Sequence, residues 1–187
     1  MFKAIRQKAL EPSRVKKPRL LARFLRRKDG ATVVEFSLVL APFLALLFAI
    51  LETALVFLAG QLLETAVADS GRLILTGQAQ KQKFDATKFR QEVCGRIAAL
   101  IDCESGLQFD VRTYKSFASI DMSKPIDSDG KLTLGSAYEP GNAGDIVVVR
   151  LAYQWPIYVS MFNYNLSDLA GGKRLLLATA AFRNEPF

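Results

Sequence analysis

The sequence contains no histidine, only two cysteines and a single tryptophan. Without an imidazole, mechanisms that need a histidine base or a histidine metal ligand are excluded, including those of Ser-His-Asp hydrolases, Cys-His proteases and most zinc enzymes. The sequence also has no paired carboxylates, glycine-rich phosphate loop or nucleophile elbow. We therefore expect a protein that is not an enzyme and that holds neither a metal nor a cofactor.

Acidic residues are scarce in the first 29 residues, which carry eleven Lys and Arg and only two acids. The rest of the chain holds 14 bases and 16 acids, so the net charge of +7 arises at the N-terminus. A nucleic-acid-binding domain would carry its positive charge on the folded body. We therefore expect no nucleic acid among the partners.

A long apolar run follows the basic segment, and Glu52 is the only ionisable residue between positions 36 and 60. As a helix this run would be about 37 Å long at 1.5 Å per residue, which exceeds the roughly 30 Å hydrocarbon core of a bilayer. The run predicts a transmembrane helix, with the lipid bilayer as a partner. The basic residues before it favour a cytoplasmic N-terminus, with the remainder of the chain outside.

Two acids frame the apolar run. Glu35 immediately precedes it and can complement the dipole at the start of a helix. Glu52 has two interpretations. An acid deep in the bilayer costs about 2.5 to 3.5 kcal/mol and usually faces a protein partner, whereas a span that ends near Ile50 would leave Glu52 at the outer interface.

The junction between the two segments resembles the prepilin signal of type IV pilins and pseudopilins. It reads RRKDG and then ATVVEFSLVLAPF, with a basic leader ending at Gly30 and an acid, Glu35, five positions later. Within that class the chain resembles the TadE-like minor pilins of tight-adherence (Tad) pilus systems. Further similar stretches are ETAVADSGRLILTGQAQ, AGDIVVVRLAYQWP and ATAAFRNEPF. The family more often has Ala where this chain has Gly71.

The resemblance implies a structural subunit of the bacterial inner membrane that serves a pilus for surface adherence. A prepilin peptidase would cut between Gly30 and Ala31 and leave a cationic amine on Ala31. In an assembled pilus Glu35 would pair with this amine of a neighbouring subunit, and Glu52 is a second candidate assembly residue. The implied partners are the peptidase, other Tad pilins and the inner-membrane assembly platform. Without cleavage, the chain would be a single-span membrane protein whose external head binds a ligand or partner.

The residues after the span predict an α+β head. The apolar helix can continue to about Thr76, and residues 87–101 predict a second helix with a core-facing stripe. Three β-rich runs predict a small, mainly antiparallel sheet, at residues 107–113, 145–155 and 173–183. The expected organisation is a leader at 1–30, a transmembrane helix at 31–60 and an extracytoplasmic head at 61–187.

Cys94 and Cys103 both lie in the predicted head. An even number of cysteines in an oxidising compartment favours one disulfide, and two unpaired thiols are the alternative. We expect the aromatic residues late in the chain to lie in the core. The alternatives are that they form a binding surface or lie at the membrane interface. They are Tyr138, Tyr153, Trp155, Tyr158, Phe162 and Tyr164.

Overall fold

The computed structural model describes residues 30–103, 106–158 and 166–187. The chain divides into two units, one ending at Leu44 and the other running from Ala45 to Phe187. The described residues form helices and a three-stranded antiparallel sheet, which confirms the predicted α+β class. The expected leader up to residue 29 and the aromatic residues Phe162 and Tyr164 lie outside the described residues.

The first helix, α1, is Ala31–Leu75 and contains Pro42. It is long and apolar enough to cross a membrane, and its most apolar part is not covered by other described residues. Many large apolar side chains on it are exposed, among them Val33, Phe36, Leu38, Phe43, Leu46, Phe48, Ile50 and Phe57. The continuation of the helix beyond residue 60 agrees with the prediction from the sequence.

From Glu52 onward, one face of α1 is buried. The buried positions recur every three or four residues, which places them along one side of a helix. They are Glu52, Val56, Ala59, Leu63, Ala66, Val67, Ser70 and Ile74. The buried hydroxyl of Ser70 donates to the carbonyl of Ala66 at 2.6 Å, so this polar group does not lack a partner.

Two further helices follow α1. The chain leaves α1 through Gly77 in a left-handed conformation and forms a short helix, α2 (Gln78–Lys81), where no helix was predicted. The next helix, α3 (Ala86–Ile97), begins after Asp85, whose side chain accepts a hydrogen bond from Lys88 N at 2.7 Å. It ends earlier than predicted, but the expected stripe is buried: Phe89, Val93, Ile97 and Ile101.

The sheet consists of β1 (Leu107–Tyr114), β2 (Ile146–Pro156) and β3 (Lys173–Arg183), in that order. Both neighbouring pairs are antiparallel, as predicted. One face of the sheet shares a core with α1 and α3. A smaller apolar cluster lies apart from that core and contains Ala152, Leu169 and Leu175, with Ile126, Leu132, Leu134 and Leu177 beside them.

The late aromatic residues have different environments. Trp155 is buried, while Tyr138 and Tyr153 are partly buried against the main core. Tyr158 is 81% exposed and does not occupy a core position. The core prediction is therefore confirmed for Trp155 and in part for the two tyrosines, and it is wrong for Tyr158.

Candidate processing and assembly segment

Gly30 is exposed and directly precedes the first residue of α1, Ala31. A Cβ atom at Gly30 would have no described atom within 4 Å outside its chain neighbours. A larger residue would therefore meet no steric obstacle in the described part of the chain. Cleavage between Gly30 and Ala31 stays a prediction.

Glu35 lies in the second turn of α1 and is exposed. Its carboxylate has no hydrogen bond or ion pair with any residue that the structure describes. Nearby, the Ser37 hydroxyl is already bonded to the carbonyl of Val33 at 2.7 Å. The exposed carboxylate of Glu35 can therefore accept a cation from another molecule, although the pairing with a neighbouring amine stays a prediction.

Glu52 is the first member of the buried face of α1, with 7% of its surface exposed. The backbone N–H of Tyr158, just after β2, donates to Glu52 Oε1 at 2.5 Å. A buried acid needs such donors because desolvation of a carboxylate is costly. The exposed side of the helix is still apolar past this level, at Phe57 and Leu58, so Glu52 faces the chain's own head. Its role in subunit assembly stays a prediction.

The two cysteines form a disulfide, Cys94–Cys103, with their Cα atoms 5.7 Å apart. The predicted bridge is thus confirmed, and it joins α3 to the segment before β1. Arg90 supports the same connection, since its Nη1 donates to the carbonyls of Leu107 at 2.8 Å and Cys103 at 3.3 Å. The end of α3 is also tied to α1, because Arg96 lies 3.6 Å from the Asp69 carboxylate.

At Gly71, α1 packs closely against β3. A Cβ atom at this position would lie 2.9 Å from Cε1 of Phe182 and 3.7 Å from the Cβ of Ala180. The absence of a side chain therefore lets the helix lie directly against β3. From the sequence alone, Gly71 could be recognised as a departure from a family pattern. The sequence did not indicate that Phe182 lies against this position.

Asp110 is a buried carboxylate on β1 that sequence reasoning missed. Its Oδ1 accepts hydrogen bonds from Arg112 Nε and from Ala137 N, both at 3.0 Å. The hydrogen bond and the charge of Asp110 raise the pKa of the Arg112 guanidinium above its usual value. The hydrogen bond from Ala137 N to Asp110 holds the backbone near Ala137 beside β1. Among the described residues, no group of three or more acidic or cysteine side chains is arranged to hold a metal ion.

Part of the chain, which includes Gly30, Glu35, Glu52 and Gly71, matches a family model. Residues 30–72 match the model of the family described as TadE-like protein. This segment is TadE-like. No curated protein and no solved structure matches the chain. The TadE-like match lies wholly within the long apolar helix and the residue before it.

The TadE-like segment begins at Gly30 and includes both Glu35 and Glu52. It ends just after Gly71, close to the end of α1. It therefore covers the exposed apolar stretch and most of the buried face of α1. The later helices and the sheet lie beyond the TadE-like match.

Proposed function

We propose that this chain is a minor pilin or pseudopilin needed to assemble a Tad (type IVb-like) pilus for surface adherence. It is a structural subunit rather than an enzyme. The main support is the TadE-like match, which begins at Gly30, the residue directly before α1. The match thus starts at the position where the prepilin-like signal of the sequence ends.

In this proposal, residues 1–30 are a cytoplasmic leader that a prepilin peptidase removes. Residues 31–60 anchor the chain in the bacterial inner membrane, and residues 61–187 form the periplasmic head. The eleven basic residues of the leader support this orientation, because basic segments tend to stay in the cytoplasm. The disulfide supports it as well, since such bonds persist in oxidising compartments.

Assembly would use the N-terminal end of α1. After cleavage, the amine of Ala31 is cationic near neutral pH and can pair with Glu35 of a neighbouring subunit. The exposed position of Glu35 supports an intermolecular partner. Other Tad pilins and the inner-membrane assembly platform would supply the remaining contacts, including any that reach Glu52.

The test is the first residue of the mature chain. The full chain is expressed together with a prepilin peptidase and a known prepilin, extracted from membranes, and analysed by intact mass and N-terminal sequencing. A chain that begins at Ala31 supports the proposal. A chain that still begins at Met1 while the known prepilin is cut would favour an uncleaved single-span protein with an external binding head.

A further inference from the structure

A polar cleft of about 440 Å³ lies on the face of the sheet opposite the main core. Side chains alternate between the two faces of a strand, and the neighbours of Arg150 on β2, Val149 and Leu151, are buried in the main core. Arg150 therefore points to the other face, where it lines the cleft together with residues of β1 and of the segment between β1 and β2. We call this site the Arg150 cleft.

The guanidinium of Arg150 forms no hydrogen bond and no ion pair with any residue that the structure describes, and its Nη2 atom is buried. The sheet register places Asp110 on one side of Arg150 and Thr179 on the other. The carboxylate of Asp110 is already engaged, because it lies 2.9 Å from Arg112 Nε and accepts a hydrogen bond from Ala137 N. Burying a guanidinium without acceptors is costly, so an acceptor supplied by a bound molecule would lower this cost.

The charges around the cleft favour a singly charged anion. The charged side chains that line it are three basic and two acidic ones: Arg112, Lys124, Arg150, Asp110 and Asp121. Asp110 and Arg112 neutralise each other as an ion pair, and the charge of Glu139, outside the lining, also acts on Arg112. Arg150 and Lys124 then face Asp121 alone, which leaves one positive charge. A doubly charged phosphate would be repelled by the carboxylates of the lining, whereas a single carboxylate matches this balance.

Asp121 indicates how the cleft acts on a carboxylate. Hydrogen bonds from Ser123 lower the pKa of Asp121, and the charge of Arg150 lowers it further. Asp121 is exposed, and its Oδ1 accepts from Ser123 N at 2.8 Å without forming an ion pair with Arg150 in the described chain. The charge of Arg150 thus favours an ionised carboxylate nearby, while its N–H donors remain available to one.

Two hydroxyl groups add to the polar lining, those of Tyr114 and Thr133. Neither hydroxyl forms a hydrogen bond with another residue in the part of the chain that the structure describes. A hydroxyl group can both donate and accept, so each can bond a hydroxyl group of a ligand. Pockets for small molecules are usually lined by apolar side chains. The mainly polar lining here therefore suits a ligand with several hydroxyl groups.

We propose that the Arg150 cleft binds a singly charged organic carboxylate that carries several hydroxyl groups, which is the chemistry of a sugar acid. The planar guanidinium of Arg150 donates to both carboxylate oxygens of the ligand. Lys124 adds a second positive charge, and the hydroxyl groups of Tyr114 and Thr133 bond those of the ligand. None of these residues belongs to the TadE-like match, and the site goes beyond the proposed role in pilus assembly.

The test is isothermal titration calorimetry of the full chain in detergent with sodium D-glucuronate, and we expect binding at low salt. Arg150→Met keeps an apolar side chain but removes the guanidinium, and it should weaken glucuronate binding at least about ten-fold. The matched control is Arg72→Met, at an exposed position of α1 outside the cleft, which changes the net charge equally and should bind like the unaltered chain. Thermal unfolding without ligand is measured in parallel. Because Arg150 has no hydrogen-bond partner in the described chain, Arg150→Met should be at least as stable as the unaltered chain.

Three further ligands separate the carboxylate, the hydroxyl groups and the charge. D-glucose lacks the carboxylate, acetate lacks the hydroxyl groups, and inorganic phosphate carries more charge, so each should bind more weakly than glucuronate. Thr133→Val should weaken the binding of glucuronate and leave that of acetate unchanged. The proposal is overturned if glucuronate does not bind, if Arg150→Met and Arg72→Met bind it equally, or if glucose or phosphate binds as tightly. It is also overturned if Arg150→Met strongly destabilises the ligand-free chain, since Arg150 would then have a partner within the protein.

Discussion

Glu52 on α1 accepts a hydrogen bond from the backbone N–H of Tyr158, so the chain just after β2 is tied to the helix where its buried face begins. The contact joins residues 106 positions apart in the sequence. It also explains how an acid is accommodated within an otherwise apolar stretch. The carboxylate points into the head, while the apolar side chains around it point outward.

This contact predicts different effects for two substitutions at Glu52. Glu52→Ala removes the charged acceptor of the part-buried hydrogen bond from the Tyr158 N–H and should lower the free energy of unfolding by about 1.5 to 3 kcal/mol. Glu52→Gln keeps an acceptor and should cost less. The measurement is thermal unfolding in detergent, followed by Trp155 fluorescence. Glu64→Ala, at an exposed acid of α1, is the control, and equal effects of the two Glu52 variants would contradict the prediction.

Gly30→Phe should abolish removal of the leader while leaving the fold unchanged. The reason is that a prepilin peptidase needs a small residue before the scissile bond, whereas the described chain has open space at this position. Processing is measured as the shift in intact mass in cells that contain the peptidase. Gly30→Ala, the smallest change, serves as the control. Normal cleavage of the Phe variant would show that the cut has been placed wrongly.

Glu35→Ala should leave insertion and cleavage intact and reduce piliation strongly. No contact of Glu35 within the described chain is lost, so the effect would come from the missing partner of the neighbouring amine. Pili are counted by electron microscopy, and the mass of the mature subunit is measured in parallel. Glu35→Gln tests whether the charge is needed. Unchanged piliation in both variants would contradict the proposed pairing of Glu35 with the amine of a neighbouring subunit.

Gly71 and Phe182 should be energetically coupled. Gly71→Ala gains about 1 kcal/mol of helix propensity, but its new methyl group meets the Phe182 ring at 2.9 Å. We expect Gly71→Ala to give no gain in stability while Phe182 is present. The gain should appear when Phe182→Leu makes space for the methyl group. A double-mutant cycle should give a coupling of at least about 0.5 kcal/mol. Gly60→Ala, with no neighbouring atom within 4 Å, should show the gain alone.

The raised pKa of Tyr138 predicts that the folded chain loses stability at alkaline pH. Burial, assisted by the charge of Asp85, raises the pKa of Tyr138 to about 12, from about 10 in an unfolded chain. The folded state therefore holds this proton more tightly. The stability linked to it is present below about pH 10 and is lost as the pH rises toward 12.

Tyr138→Phe isolates this effect. The unfolding temperature of the unaltered chain should fall relative to the Phe variant between about pH 10 and pH 12, and the difference between them should be constant at lower pH. Tyr158→Phe is the control because that side chain is 81% exposed. A pH-independent difference for Tyr138→Phe would contradict the assigned cause.

The sequence predicts the elements of this fold better than their contacts. Apolar periodicity located α3, and β-rich composition located β3 at the observed residues, because both patterns reflect burial within a single element. Asp69 lies three residues before Arg72 on the same helix, a spacing that allows an ion pair, but the structure pairs Asp69 with Arg96. Local spacing contains no information on how a second helix approaches the first.

The same limit applies to the candidate site. Gly30 and Glu35 could be identified because they form a local pattern in the sequence. The partner of Glu52 could not, because Tyr158 follows a strand far along the chain. In retrospect, the spacing of Glu52 with Val56 and Ala59 was a usable signal, since it places the acid on the face that packs against the head.

The continuous buried face of α1, from Glu52 to Ile74, also has a mechanical consequence. In the proposed function, α1 is held in the membrane and any load on the sheet reaches it through this face. Under such a load, the buried face of the helix must slide along the sheet, so contacts from Val56 to Ile74 resist together instead of separating one after another. The packing that buries this face of α1 therefore also suits the chain to bear tension.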